Sequence, residues 1–295
     1  METIHVVSGA LRDLLSMRDP RTKDWETLKN PSYVILLIGS YLYMAKIWGP
    51  EFMKNRKPYD LRTVIRAYNV FQVTANAYCL YRITYHTFWM VGYSPICQGV
   101  SYGTDDNSMA LLDVFFFYFL VRIADFLDTV FFVLHKKFSS HVTVLHVTHH
   151  TLVVINGWVF LQFGSDGQPV FGLCLNQFVH IIMYSYYFMA SLGPSVRQYL
   201  WWKKYLTAVQ ITQFVIMISH GMIPLFVDCG YPPVLLCIAV PQVAFVLVLF
   251  INFYIKAYVK RSPGGRAKEC SKEPNCRQLT MNGVRNSLLV EKKQI

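Results

Sequence analysis

The chain predicts an all-α, multi-pass membrane protein. Three observations carry that fold class. Hydrophobic residues fill 54% of the 295 positions and charged residues only 15%, where a soluble domain carries about 25% charged residues. Seven apolar segments approach the roughly 20 residues that a helix needs to cross a bilayer. Between those segments, basic residues occupy every second loop, the pattern that sets membrane orientation.

The predicted spans, in chain order, are Pro31 to Trp48, Leu61 to Trp89, Met109 to Leu134, Val142 to Phe163, Pro169 to Ser191, Trp201 to Phe226 and Pro233 to Tyr258. The loop after the first holds Lys54, Arg56 and Lys57; the next, "MVGYSPICQGVSYGTDDNS", holds no Lys or Arg. "HKKFSSH" is basic, "GSDGQ" is not, the fifth loop holds Arg197, Lys203 and Lys204, and "VDCGYPP" has none. The basic loops and the basic tail are therefore expected in the cytosol, and an odd helix count puts the N-terminus on the other side. Residues 1–30 form the expected N-terminal lumenal segment, 31–260 the membrane domain, and 261–295 a tail of mixed charge that reads as disordered. The first 25 residues are too polar for a cleaved signal peptide.

A formal net charge of +11 would suggest nucleic acid in a soluble protein. Here the charge lies in loops and tail, which suggests orientation or an anionic substrate and no nucleic-acid partner. Of seven cysteines none forms C-x-x-C, so no zinc framework or redox motif is indicated. Cys97 and Cys229 fall on the non-cytosolic side, where an oxidising lumen would let them pair.

Ionisable groups at membrane depth are costly and mark function or partner one another. "RIADFLDT" sets Arg122, Asp125, Asp128 and Thr129 on one face of the third span. "LHVTHHT" sets His146, His149 and His150 at i, i+3 and i+4 of the fourth. "NQFVHIIMYSYY" aligns Asn176, His180, Tyr184 and Tyr187 on the fifth, and Thr207, Gln210 and Gln213 align on the sixth. Arg66, Tyr68, Asn69 and Gln72 cluster on the second. At 1.5 Å per residue, His149 and Asp128 lie about 10 Å, Asn69 about 12 Å, Gln210 about 14 Å and His180 about 15 Å from the cytosolic ends of their helices. Agreement in depth across five helices predicts one internal chamber open toward the cytosol.

Three histidines on one helical face suit a metal or nucleophilic and acid–base chemistry. Two irons would need several histidine boxes, and this chain has one. A single zinc on His146, His150 and a carboxylate stays open on the residues alone. Imidazole can also attack an activated acyl group and move protons near neutral pH. A non-enzymatic lipid transporter or channel is the competing class, and a passage open at both faces would mark it.

From "GPEFMKNRKPYDLR" through "YNVFQV", "RIADFLDTVFFVL", "LHVTHHT", "NQFVHIIMYSYYFMA" and "WWKKYLTAVQITQF" to "FINFYIKAYVK", the chain resembles the very-long-chain fatty acid elongases. The resemblance implies seven helices in the endoplasmic reticulum membrane, six of them around a closed-ended substrate tunnel. It implies a 3-ketoacyl-CoA synthase that condenses long-chain acyl-CoA with malonyl-CoA, without metal or bound organic cofactor. His149 would be the nucleophile and His180 would assist the second half-reaction. His146, His150, Asp125 and Asp128 would orient or proton-tune the imidazoles, and Asn176 and Gln210 would donate to developing negative charge. Arg56, Lys137, Arg197 and Lys204 are candidates for the CoA phosphates, with Tyr184 and Tyr187 nearer the substrate. Candidate protein partners are other enzymes of the elongation cycle and a second copy of the chain. Lys292 and Lys293 resemble a dilysine retrieval signal. Three positions depart from the family pattern: Arg122-x-x-Asp125-x-x-Asp128 replaces K-x-x-E-x-x-D, His135 stands where arginine is common, and Thr148 stands where an aromatic is common.

Overall fold

The computed structural model describes residues 18–260. Lys292 and Lys293 and the expected tail lie outside the described residues. Every one of the seven predicted segments is helical, and the third is split. The helices are α1 (Ser32–Met53), α2 (Arg62–Thr84), α3 (Asp106–Ala124), α4 (Phe126–Leu134), α5 (Val144–Phe163), α6 (Pro169–Ser191), α7 (Lys203–Gly221) and α8 (Pro233–Tyr254). Four of these spans, α1, α5, Lys203–Leu225 and Pro233–Val259, are long and apolar enough to cross a membrane. Polar and charged side chains dilute α2, α3 and α6, and those are the helices that carry much of the candidate chemistry.

Local chemistry sets the helix starts. Asp105 accepts from the Asn107 and Ser108 amides and caps α3; Thr143 accepts from the His146 amide and caps α5. Pro169 and Pro233 open α6 and α8, where a missing N–H costs nothing. The break between α3 and α4 falls at Asp125. There the Asp128 amide bonds the Asp125 carbonyl at 3.2 Å, a tightened i→i+3 turn that replaces one α-helical bond. Sequence periodicity continues across that turn, so it predicts a single helix.

Neighbour packing closes on itself. Helix α2 packs on α3, α3 on α5, α5 on α8, α8 on α7, α7 on α6 and α6 on α2, the last being the most extensive contact. Helix α1 stands outside this ring, against α4 and α5. Gly49 permits that approach, because a Cβ there would lie 2.7 Å from Val133 Cγ1. The outer surface is apolar: Ile35, Leu36, Val248 and Phe226 are all exposed. In lipid such a surface is solvated, and helices associate through close packing and interhelical hydrogen bonds instead of burial from water.

The end away from the basic loops is cross-laced. Cys97 and Cys229 are bonded, with Cα atoms 5.8 Å apart, and join the α2–α3 and α7–α8 loops. The Gln168 amide nitrogen donates to Ile96 O at 3.0 Å and His220 O at 2.8 Å. Residues before α1 fold onto the end of α5. Asp19 N donates to Gln162 O at 2.7 Å, Thr22 Oγ1 to Leu161 O at 2.6 Å, and Gln162 Nε2 to Leu28 O.

Candidate active site

The polar side chains of the spans gather where α2, α3, α4, α5 and α6 face one another. Arg122, on the last turn of α3, is 1% exposed. A cation at that depth persists only with partners. Its partners are Asp125 Oδ2 at 3.3 Å, Asn76 Oδ1 at 2.5 Å and His180 Nδ1 at 2.6 Å. A guanidinium only donates, so the His180 ring is the acceptor, with Nδ1 at 2.6 Å and Nε2 at 3.3 Å from the same Arg122 nitrogen.

Asp125 Oδ1 accepts from Gln72 Nε2 at 2.8 Å and from the Tyr184 hydroxyl at 3.1 Å. The same hydroxyl lies 2.8 Å from Asp128 Oδ2, so one phenolic proton faces both carboxylates. Gln72 also donates to the Tyr68 hydroxyl at 3.0 Å, and Asn76 Nδ2 to Gln72 O at 2.7 Å. Steps of four along α2 thus present Tyr68, Gln72 and Asn76 to the α3–α4 turn.

The histidines stand on the adjoining wall. His146 Nε2 meets Thr129 Oγ1 at 2.8 Å, and Thr129 meets the Tyr41 hydroxyl at 2.9 Å, a relay from α1 through α4 to α5. The His146 and His150 rings are 4.3 Å apart and His149 and His150 5.4 Å. His149 lies 6.3 Å from Phe214 of α7 and 5.9 Å from Phe250 of α8. No described side chain hydrogen-bonds a His149 ring nitrogen. His149 is half-buried, whereas His150 is buried among rings.

The carboxylates do not meet the imidazoles, although the sequence suggests them as orienting groups. Asp125 and Asp128 are drawn to Arg122, Gln72 and Tyr184, and Thr129 and Arg122 contact the rings instead. Asn176 is buried one turn before His180 on the same face. Gln210 contacts Met183 Sδ at 3.3 Å, joining α7 to α6. Tyr187 is 41% exposed, its ring 6.0 Å from that of Tyr184. Sequence reading stopped the α2 stripe at Gln72; the next step of four, Asn76, was available as a signal. Nothing local singles out Tyr41.

The basic candidates lie at the opposite end from the lacing. Arg56 stacks over Phe52 at 4.0 Å and donates to the Tyr59 hydroxyl at 3.4 Å. Lys204 Nζ lies 4.8 Å above the Tyr205 ring, and Lys137 is half-buried. The backbone of Arg197 ends the one-turn helix Pro194–Arg197; its side chain is outside the description. Among the described residues no group of three or more His, Cys, Asp and Glu side chains converges as metal ligands do. Two apolar grooves open on the outer flanks, between α2 and α6 and between α6 and α7, and no histidine lines either.

A helical membrane protein with a buried layer of histidine, carboxylate and amide is the class that fold and site define. The chain belongs to the GNS1/SUR4 family, which it matches over residues 26–265. It is 34% identical to the Homo sapiens protein named very long chain fatty acid elongase 4, over 99% of this chain and 91% of that one. It is 38% identical to the Drosophila melanogaster very long chain fatty acid elongase 7, over 90% and 81%. It is 34% identical to the Mus musculus very long chain fatty acid elongase 5, over 95% and 92%.

Proposed function

We propose that the chain elongates fatty acids by condensing long-chain acyl-CoA with malonyl-CoA to 3-ketoacyl-CoA, CO2 and CoA. The reading places seven spans in the endoplasmic reticulum membrane, N-terminus lumenal and C-terminus cytosolic, with the six-membered helix ring around a closed-ended tunnel. The observation that carries it is His149: half-buried, with no hydrogen-bonded side-chain partner, and bounded by Phe214 and Phe250 beside a buried polar layer.

The chemistry divides in two. An imidazole nitrogen of His149 attacks the thioester carbonyl, and CoA leaves as thiolate and takes up a proton. Malonyl-CoA then loses CO2. The electron pair released at its C2 forms the new carbon–carbon bond, and the imidazole leaves as the ketone forms. His180, held by Arg122, assists the second half-reaction at the malonyl carbonyl as the enolate develops. His146, anchored by Thr129, fixes the face of α5 that carries the nucleophile. Asn176 and Gln210 are further donors, and Arg56, Lys137, Arg197 and Lys204 the cations for CoA.

Capture of a labelled acyl group from acyl-CoA alone tests the nucleophile. His149→Ala is expected to abolish it, and full acyl-enzyme in that variant would remove His149 from the role. Labelled CO2 from malonyl-CoA that depends on added acyl-CoA tests the reaction itself.

A further inference from the structure

Helix α1 stands outside the ring that carries the chemistry, yet its buried face reaches the histidine helix by three routes. Tyr41, 4% exposed, meets Thr129 Oγ1 through its hydroxyl at 2.9 Å, and Thr129 meets His146 Nε2 at 2.8 Å. The Tyr41 ring stacks on Phe126 at 3.9 Å, and Phe126 lies edge-on to His150 at 6.5 Å. Lys46 Nζ donates to Val142 O at 3.1 Å, just before α5 begins. Close apolar packing would suffice to dock an outer helix. Two of these routes instead end on imidazoles of the histidine layer.

The proton order along the polar route follows from what each group can donate. Among the described residues the Tyr41 hydroxyl has one hydrogen-bond partner, and the Thr129 hydroxyl, 0% exposed, has two. A buried hydroxyl proton without an acceptor is costly, so Tyr41 donates to Thr129. Thr129 must then place its own proton, and His146 Nε2 is its remaining partner. If His146 donated at Nε2, the Thr129 proton would have no acceptor. His146 therefore accepts at Nε2 and carries its proton on Nδ1.

The next rings follow in contact. His150 lies 4.3 Å from His146 and 5.4 Å from His149, between the two. Thr129 thus fixes one flanking ring and Phe126 backs the middle one, and the candidate nucleophile rests against them.

We infer that Tyr41 is a positioning residue for the acyl-transfer step, setting the His146 tautomer through Thr129 and backing His150 through Phe126. In that step the thioester carbon–sulfur bond breaks as the carbon–nitrogen bond to His149 forms. Tyr41 touches neither atom and exchanges no proton with the substrate. The inference rests on the condensation reading.

Tyr41→Phe keeps the stack on Phe126 and removes only the hydroxyl. Nuclear magnetic resonance of the full-length protein in nanodiscs, with histidine isotope-labelled at nitrogen, reads the tautomer. The His146 signals are those that vanish in His146→Gln. Wild type is expected to show Nδ1 protonated and Nε2 bare. In Tyr41→Phe, Thr129 can accept instead, and the form protonated at Nε2 should appear. The rate of acyl capture at saturating acyl-CoA should fall about tenfold, the scale of one hydrogen bond, with KM for acyl-CoA unchanged. Thr129→Val cuts the same route, so adding Tyr41→Phe to it should cost no further rate. A wild-type capture rate in Tyr41→Phe would overturn the inference, as would multiplying losses in the double variant or a wild-type His146 protonated at Nε2. A Tyr41→Phe protein that fails to fold, or that is slowed with its tautomer unchanged, would make Tyr41 structural and overturn it as well. Absence of acyl capture by the wild-type protein would instead overturn the reading beneath, and the tautomer would still be measurable.

Discussion

The two ends of the bundle are built from opposite materials. At the laced end, a buried cluster of charge is engaged across the sequence. Arg21 Nη2 meets Asp19 Oδ2 at 2.7 Å, Arg21 Nη1 donates to Gly103 O at 3.0 Å, and Ser165 Oγ donates to Asp19 at 3.1 Å. Ser101 ties in Asp166, whose carboxyl burial pushes above the usual range. At the basic end, Lys54, Arg56, Lys57 and Lys204 stand exposed. One end uses charge to hold segments far apart in sequence together, and the other exposes charge whose ion pairs, Lys54 with Glu51 and Arg62 with Asp60, are local in sequence.

Removing a buried ion partner is the largest break available. Asp19 is 0% exposed, and without it Arg21 keeps Gly103 O, the Tyr102 ring at 5.7 Å and the more distant Asp166. Asp19→Ala is expected to cost about 3–5 kcal/mol, the range for an uncompensated buried charge. Thermal unfolding in lipid nanodiscs reads it. A loss under about 1 kcal/mol, the scale of an exposed pair, would mean that the lacing contributes little.

How much of this was legible differs between the same two regions. The existence of each helix followed from apolar length, and the polar stripes of α2, α3, α5 and α6 followed from steps of three and four. The lacing did not. Asp19 bonds Gln162 and Ser165 across more than a hundred positions, and such pairings leave no local period to read. Within the site, residue types were legible and partners were not. Asp125 and Asp128 looked like imidazole partners by chemistry alone, but the turn at Asp125 points them to Gln72 and Tyr184, leaving Thr129 to meet His146.

The converse change at the basic end should separate binding from stability. Lys204 is exposed and its ammonium rests only on Tyr205. Lys204→Ala is expected to leave unfolding within about 0.5 kcal/mol of wild type. Loss of one exposed phosphate contact, about 1 kcal/mol, corresponds to an acyl-CoA KM raised about fivefold. Salt should shrink the difference, since exposed charges are screened within about 10 Å at 0.1 M. An unchanged KM at low ionic strength would take Lys204 out of the CoA site.

The smallest effect sharpens the same contrast by asking whether any titrating group at the basic end is coupled to folding. His141 lies in the one-turn helix Phe138–His141, between α4 and α5. Its ring meets Ser140 Oγ at 2.7 Å and packs 4.8 Å from Phe132. Burial first, then the charges of Lys137 and Lys203, hold its pKa down at about 4. An unfolded chain would protonate this ring near 6.5, before the folded one does. The unfolded state therefore binds more protons between those two values, and stability falls as pH drops through that window and levels off below it. His141→Gln keeps a polar partner for Ser140 and removes the titration. Melting midpoints from pH 7.5 to 4 should fall less steeply in the variant than in the wild type. Parallel slopes would show that titration of His141 is not coupled to folding.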